Sequence, residues 1–251
     1  MKDNSHLVQN EAVFDYGIYV MTIYAVAATN LYGLVALEEL AKIANEYRVG
    51  APPMAHTLYT QNPDYIRMAE DIQPDDVMRY LEMNVKTQNY VALIEYRGTH
   101  YLASRDFVII SGDGKETVDW AEVAAVLRAR EGKPRYQPQL SEFVRYGGIG
   151  KYDPYVQCGA LFTWLSKRGI DKKSSQQKLA DKIRVVISDD DFDVEEVIRV
   201  VDNVLIHKHM DRLTLTVDGM NELLALLCDI KNNTRSWENY GHTPNEMIEM
   251  N

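Results

Sequence analysis

A single change of hydrophobic period constrains this chain more than any other feature. Between residues 90 and 110 the apolar residues come in short runs of β-formers, and on both sides of that window they recur at helical spacing. Tyr90-Val91-Ala92-Leu93-Ile94-Glu95-Tyr96 reads as a strand, Arg97-Gly98-Thr99 as its turn and His100-Tyr101-Leu102-Ala103 as the return. Phe107-Val108-Ile109-Ile110 offers a third short strand, closed by Ser111-Gly112-Asp113-Gly114. So little β-sequence between long helical stretches predicts a mainly α chain of the α+β class.

The helical stretches divide into two groups. From Ala12 to Asn30 the chain is apolar on nearly every side, which suits a core helix, and Gly33 offers a left-handed stop. Leu34, Leu37, Leu40, Ala41 and Ala44 share one face of a second helix. An irregular stretch with Pro52, Pro53 and Pro63 leads to Pro74, which opens a short helix with Asp75 and Asp76 in its first turn and Val77, Tyr80 and Leu81 inward. Helix, helix, helix and hairpin is the order of a winged helix, and residues 1–112 resemble such a module. Residues 113–251 are expected to form an antiparallel helical bundle. Its apolar faces are Trp120, Val123, Ala124 and Leu127, with Thr117 near the helix start; Cys158, Leu161, Phe162 and Leu165; Leu179, Ile183 and Val186. The cleanest stripe runs through Val194, Val197, Ile198, Val201, Val204 and Leu205, and the last long face carries Met220, Leu223, Leu224 and Leu227. A connector rich in Pro, Gly and Tyr, from Gly132 to Pro154, holds one short helix around Leu140 to Arg145.

Composition narrows the function classes. With 46% hydrophobic residues in 251, a sizeable core can form. The net charge of -10 argues against sequence-blind binding to phosphate backbones and favours a protein partner, a basic one by charge. Cys158 and Cys228 fall on apolar helical faces and are expected to be buried free thiols. The N-terminus lacks a signal-peptide pattern, and no apolar run reaches the roughly 20 residues of a membrane span. A cytoplasmic protein without membrane partners is the expectation; the oligomeric state is not encoded in any pattern of the sequence.

The chemical motifs are weak ones. Gly114-Lys115 lacks both the earlier glycine of a phosphate loop, where Ile109 stands, and the following Ser or Thr, where Glu116 stands, so Gly112 to Thr117 is expected to be a plain turn. His207-Lys208-His209 has no third ligand at metal spacing. Asp189-Asp190-Asp191-Phe192-Asp193 lacks the Gly and Glu of a calcium loop, Val194 and Val200 holding those places, and suits an acidic helix start. No nucleophile elbow or spaced carboxylate pair appears, so neither catalytic residues nor metal ligands nor a cofactor are expected. Should the N-terminal module meet nucleic acid, Arg79 on the third helix and Arg97 and Arg105 near the hairpin are its candidate contacts, opposed by Asp75, Asp76 and Glu82.

The residues that most exceed a packing pattern crowd together near the C-terminus, from Asn232 to Glu246. Asn232 and Asn233 read as a left-handed helix stop. Arg235 and Trp237 follow, positioned to stack or to bond the free carbonyls at the helix end. Gly241 permits a reversal, and Thr243-Pro244-Asn245-Glu246 is a capping box with Pro at the first helical position. Isolated helices below roughly 12 residues are marginal, so the short helix that follows must dock on something. Asn233, Arg235, Trp237, Gly241, His242, Thr243, Pro244 and Glu246 are therefore the candidate interaction or structural motif. The segment resembles the form N-N-T-R-x-W-x-x-x-G-x-T-P-x-E found in a poorly characterised group of bacterial proteins, mostly from Gram-positive species and their mobile elements. Leu31-Tyr32-Gly33 and the helix after it are also similar to that group. In many relatives the segment leads into a cysteine-rich SEC-C zinc module; the absence of cysteines after Cys228 implies that zinc binding does not carry over. The resemblance brings no activity with it. The expected function is a non-enzymatic interaction or regulatory protein acting through protein–protein contacts. The alternatives are a nucleic-acid-binding regulator using the N-terminal module, and an acidic inhibitor of a basic nucleic-acid-handling protein.

Overall fold

A computed structural model describes residues 20–48, 72–83, 90–147, 155–187, 193–207 and 214–250. The Pro52–Pro63 stretch, His209, and Asp189 to Phe192 lie outside them. The chain is mainly α with a little antiparallel β, as the change of period implies. It forms two compact units. One comprises residues within Met1–Tyr152 together with Ser236–Gly241; the other comprises residues within Asp153–Arg235 and His242–Asn251.

The first unit begins with a helix over 20–32 (α1), buried almost all round: Ala25, Ala27, Ala28, Leu31 and Tyr32 have essentially no exposed surface. Thr29 is tolerated there because its hydroxyl bonds back to Ala25 O at 3.0 Å. Gly33, at φ +74, ends the helix and donates its amide to Thr29 O at 2.9 Å. Next come β1 (Leu34–Ala36), α2 (Leu37–Arg48) and α3 (Pro74–Met83), then β2 (Val91–Tyr96) and β3 (Thr99–Ser104). The sheet order is β1-β3-β2, all antiparallel. Leu34 is thus a strand residue and not the start of the second helix. Its backbone pairs opposite Ala103, and that ladder overrides the helical preference of Leu-Val-Ala. Tyr96 pairs with Thr99, so Arg97 and Gly98 alone make the turn, at φ 52 and 78, the two left-handed residues of a type I′ hairpin.

Alternate sheet residues face two separate cores. Val35, Val91 and Leu102 join the helical cluster of Leu31, Leu40, Ile43 and Val77. Leu34, Ile94 and Ala103 face Phe107, Val123 and Val126 instead. Phe107 closes a single 3-10 turn, Arg105–Phe107, after which β4 (Val108–Ile110) pairs with β5 (Glu116–Val118) in a separate ribbon. Thr117 is therefore in a strand, and the helix starts later: Asp119 caps α4 (Trp120–Ala129) by accepting from Glu122 N at 3.1 Å. The Gly112 to Lys115 stretch is the ribbon's turn, where Asp113 accepts from Lys115 N at 3.2 Å. Val126 is the fully buried partner of Val123, and Leu127 packs half-buried against the same core. Trp120 is 45% exposed and leaves the core to stack on Tyr96, with ring centroids 6.0 Å apart. A helix follows at Leu140–Tyr146 (α5), burying Phe143 and Tyr146. Because α4 covers one sheet face and α5 joins the helical core, the first unit extends past residue 112, where the sequence had suggested a boundary.

The second unit holds α6 (Tyr155–Ser166), α7 (Lys173–Ile187), α8 (Val194–His207), α9 (Val217–Asn232) and α10 (Pro244–Glu249). Its core contains Leu161, Trp164, Leu165, Leu179, Ile183, Val197, Val201, Leu223 and Leu227. Cys158 is buried there, but Cys228 is exposed. Cys228 lies four residues after Leu224, itself 40% exposed, so both occupy the outer face of α9 while Leu223, Leu227 and Ile230 turn inward. His207 is exposed at the end of α8. Among the described residues no helix is long and apolar enough to cross a membrane.

Candidate functional site

The candidate motif is split between the two units. Its outer parts belong to the second, and residues 236–241 belong to the first.

In the second unit the segment finishes α9 and starts α10. Asn233 is not left-handed; it sits at φ -109, where its side-chain amide can turn back and donate to Asp229 O at 2.9 Å. The Thr234 hydroxyl donates to Ile230 O at 2.6 Å, so side chains satisfy carbonyls that a helix end leaves open. The capping box is complete. Thr243 Oγ1 accepts from Glu246 N at 3.2 Å, and Glu246 Oε2 accepts from Thr243 N at 3.0 Å, with Pro244 in the first turn. Glu246 also receives Arg235 Nη1 at 2.8 Å and lies 3.4 Å from Nδ1 of the buried His242. Burial works to raise the Glu246 carboxyl pKa, but the Thr243 amide and Arg235 outweigh it and hold the pKa below the ordinary value. The Asn245 amide donates to Asn233 Oδ1 at 3.2 Å. The short helix docks on the end of its own predecessor, and Arg235 serves that docking through Glu246.

In the first unit Trp237 lies over Gly33. A Cβ on Gly33 would stand 2.6 Å from Trp237 Cδ2, so only glycine allows this approach. The indole stacks on Phe107 at 5.1 Å and donates Nε1–H to Asn30 O at 3.1 Å. Gly241, at φ +83, has no room for a side chain either: its Cβ would meet Tyr32 at 2.9 Å. Between them Tyr240 sends its hydroxyl to the Glu39 carboxylate at 2.5 Å.

Tyr240 leads into a polar network that sequence analysis missed. Arg130 is buried, with its guanidinium 4.5 Å from the centre of the Tyr240 ring. It donates to Leu34 O at 2.7 Å and Tyr32 O at 3.3 Å, a cation placed at the C-terminal end of α1. Arg135 meets Glu39 at 3.2 Å and Glu46 at 3.0 Å, and it donates to the Tyr32 hydroxyl at 3.2 Å. Tyr32 in turn donates to Tyr136 O at 2.8 Å. Burial pushes the Tyr32 phenol up to about 12 and raises Tyr240 as well, with Glu39 adding to the latter, so both stay protonated donors at neutral pH. Burial lowers Arg130, while Arg135 is raised, since Tyr32 and Glu46 outweigh the burial that opposes its charge. The two arginines thus tie Tyr240 and Glu39 to the backbone at the end of α1, with Glu46 at the exposed margin of the network. The one sequence signal was Arg130 at a helix end; its partners lie too far along the chain to be found by spacing.

The three candidate nucleic-acid contacts sit on different elements. Arg79 is exposed on α3. Arg97, in the hairpin turn, lies 5.1 Å from the centre of the Tyr96 ring. Arg105 is held by both carboxylate oxygens of Glu116, one of them at 3.0 Å. Among the described residues no three His, Cys, Asp or Glu side chains group to hold a metal. No known family model, curated protein or solved structure matches the chain.

Proposed function

We propose that the chain is a cytoplasmic, non-enzymatic interaction protein, and that its first unit is a winged-helix-type module used for protein contact. The order α1-β1-α2-α3-β2-β3, with the first strand pairing the last, supports the winged-helix reading. The observation that carries the functional reading is the surface of α3. A DNA reader needs Arg, Lys, Asn or Gln on that helix, whereas here Asp75 and Glu82 are exposed beside Arg79, and Arg105 is already consumed by Glu116. The segment similar to the Gram-positive bacterial group fits the same view. Every position its general form specifies past the first asparagine, from Asn233 to Glu246, has a part in capping, docking or close approach, so membership of that group would imply shared architecture more than shared chemistry.

The test sets two titrations side by side. The full chain, mixed with a random-sequence DNA duplex at low salt, should give no mobility shift. The same chain should retain a stoichiometric protein partner from its source cell, and Asp75→Lys with Glu82→Lys should release it. A DNA shift that disappears in Arg79→Glu with Arg97→Glu would reverse the reading in favour of nucleic acid.

A further inference from the structure

We propose that the outer edge of β2 is a strand-addition site for an extended segment of a protein partner, with an apolar residue opposite Leu93 and a basic residue opposite Glu95. The inference rests on the interaction reading above and adds to the α3 surface a second contact of stated pattern.

The ladder geometry fixes which backbone groups are on offer. Ser104 N donates across to Gly33 O at 2.7 Å, so the Ser104 backbone points towards β1. Backbone groups alternate direction along an antiparallel strand. His100, Leu102 and Ser104 therefore turn towards β1, and their partners in β2, namely Glu95, Leu93 and Val91, turn their N–H and C=O groups away from β3. The order β1-β3-β2 makes that side the edge of the sheet. Among the described residues, no strand pairs with it. A row of outward amides and carbonyls on an edge is a template for one more strand.

The space beside the edge selects what can add. A slot of about 370 Å³ runs along Val91 to Ile94 of β2 and stops short of Glu95, with β5, Val108 and Arg105 forming its facing wall. That volume admits a strand's side chains and little more. A second copy fits poorly, because its own β2 carries its own ribbon alongside. Cross-strand neighbours then set the pattern. Leu93 is 48% exposed and lies on the same face as Glu95, whose side chain is 63% exposed. A residue added opposite Leu93 gains most by being apolar, and one opposite Glu95 by being Lys or Arg. Arg105 does not compete for that role, since Glu116 already holds it; His100, opposite Glu95 with its Nε2 3.9 Å from Oε2, would share the carboxylate with the added base.

A displayed library of random twelve-residue peptides, selected on the full chain, tests this. Binders should converge on an apolar and a basic residue two apart, and one of them should slow hydrogen exchange at the Leu93 and Glu95 amides. Leu93→Lys should weaken that peptide at least tenfold with an unchanged melting temperature. Selection on Glu95→Lys should exchange the basic position for Asp or Glu, a readout that survives if Leu93→Lys folds badly. No binder at all, or binders indifferent to both substitutions, would overturn strand addition. If such indifferent binders compete with the natural partner, the interaction reading still stands. A concentration-dependent dimer in sedimentation that Leu93→Lys abolishes would give the edge to a second copy and overturn the proposal as well.

Discussion

Trp237 is only half-buried, yet three attachments converge on it: the Phe107 stack, the bond to Asn30 O and the bare face of Gly33. Trp237→Ala should destabilise the first unit by about 2–3 kcal/mol, and Trp237→Phe, which keeps the stack but orphans Asn30 O, by about 1 kcal/mol. Chemical denaturation followed in that unit checks both, and equal curves for all three chains would place the ring in solvent. Glu246 offers a test with a definite sign. Its folded pKa lies below the ordinary 4.5, so its contribution is fully present above that pH and is lost as the pH falls through the lower folded value. Protection of the Thr243 amide, its exchange rate compared with the intrinsic rate at the same pH, should therefore fall on acidification below about 4.5, and Glu246→Gln should flatten that response. The same acid response in both chains would show that another group controls the helix start. The two residues also differ in legibility. The capping box is written in four consecutive positions, so the sequence revealed Glu246's role. Trp237 bonds a carbonyl 207 residues away, and nothing local to it could have named Asn30 or Phe107.

At the scale of elements, the β2–β3 hairpin carries a local conflict. Its turn requires left-handed φ at both central residues, and Arg97 adopts φ 52 with a β-carbon that disfavours it. Asn is the residue best suited to that position before Gly98, so Arg97→Asn should stabilise the first unit by about 0.5 kcal/mol, or roughly 1–2 °C in melting temperature. A lower melting temperature would mean that the contact of Arg97 with Tyr96 outweighs the strain. The hairpin was legible because its two strands and turn are contiguous and rich in β-formers. The three-residue strands β1 and β5 were not. Leu34-Val35-Ala36 suits a helix as well as a strand, and only its pairing with Tyr101 to Ala103 decides the matter. Trp120 failed for a related reason: helical spacing puts it in line with Val123 and Leu127, but the first residue of a helix can swing off that face to meet a neighbour such as Tyr96. Likewise a stripe including Leu224 and Cys228 ignores that each lies one residue, about 100° of rotation, past an inward leucine.

At the scale of the whole molecule, chain order and structural membership part company near the C-terminus. Ser236–Gly241 belongs to the unit built from the first part of the chain, although the residues before and after it belong to the other. A chain ended after Arg235 should thus injure the first unit, which loses Trp237 and Tyr240. The second loses the buried His242 and Thr243 along with α10, a helix that itself has no buried residues. Losing an indole stack and a charged hydrogen bond together should cost about 4–5 kcal/mol, on the order of 10–20 °C for a unit of this size. The three tryptophans allow each unit to be watched separately. In the shortened chain, Trp164→Phe leaves Trp120 as reporter of the first unit, and Trp120→Phe leaves the buried Trp164 as reporter of the second. A synthetic peptide spanning residues 234–243, added in trans, should then raise the first unit's transition, followed by amide exchange in β2 and β3 because the peptide brings its own indole; at tenfold over its dissociation constant the gain is about 1.4 kcal/mol. The same peptide with Trp237→Ala, left with Tyr240 alone, should bind far more weakly and give a much smaller rise at the same concentration. A first-unit transition that survives the truncation unchanged, or a rescue that needs no tryptophan, would show that the segment merely crosses the first unit without helping to build it.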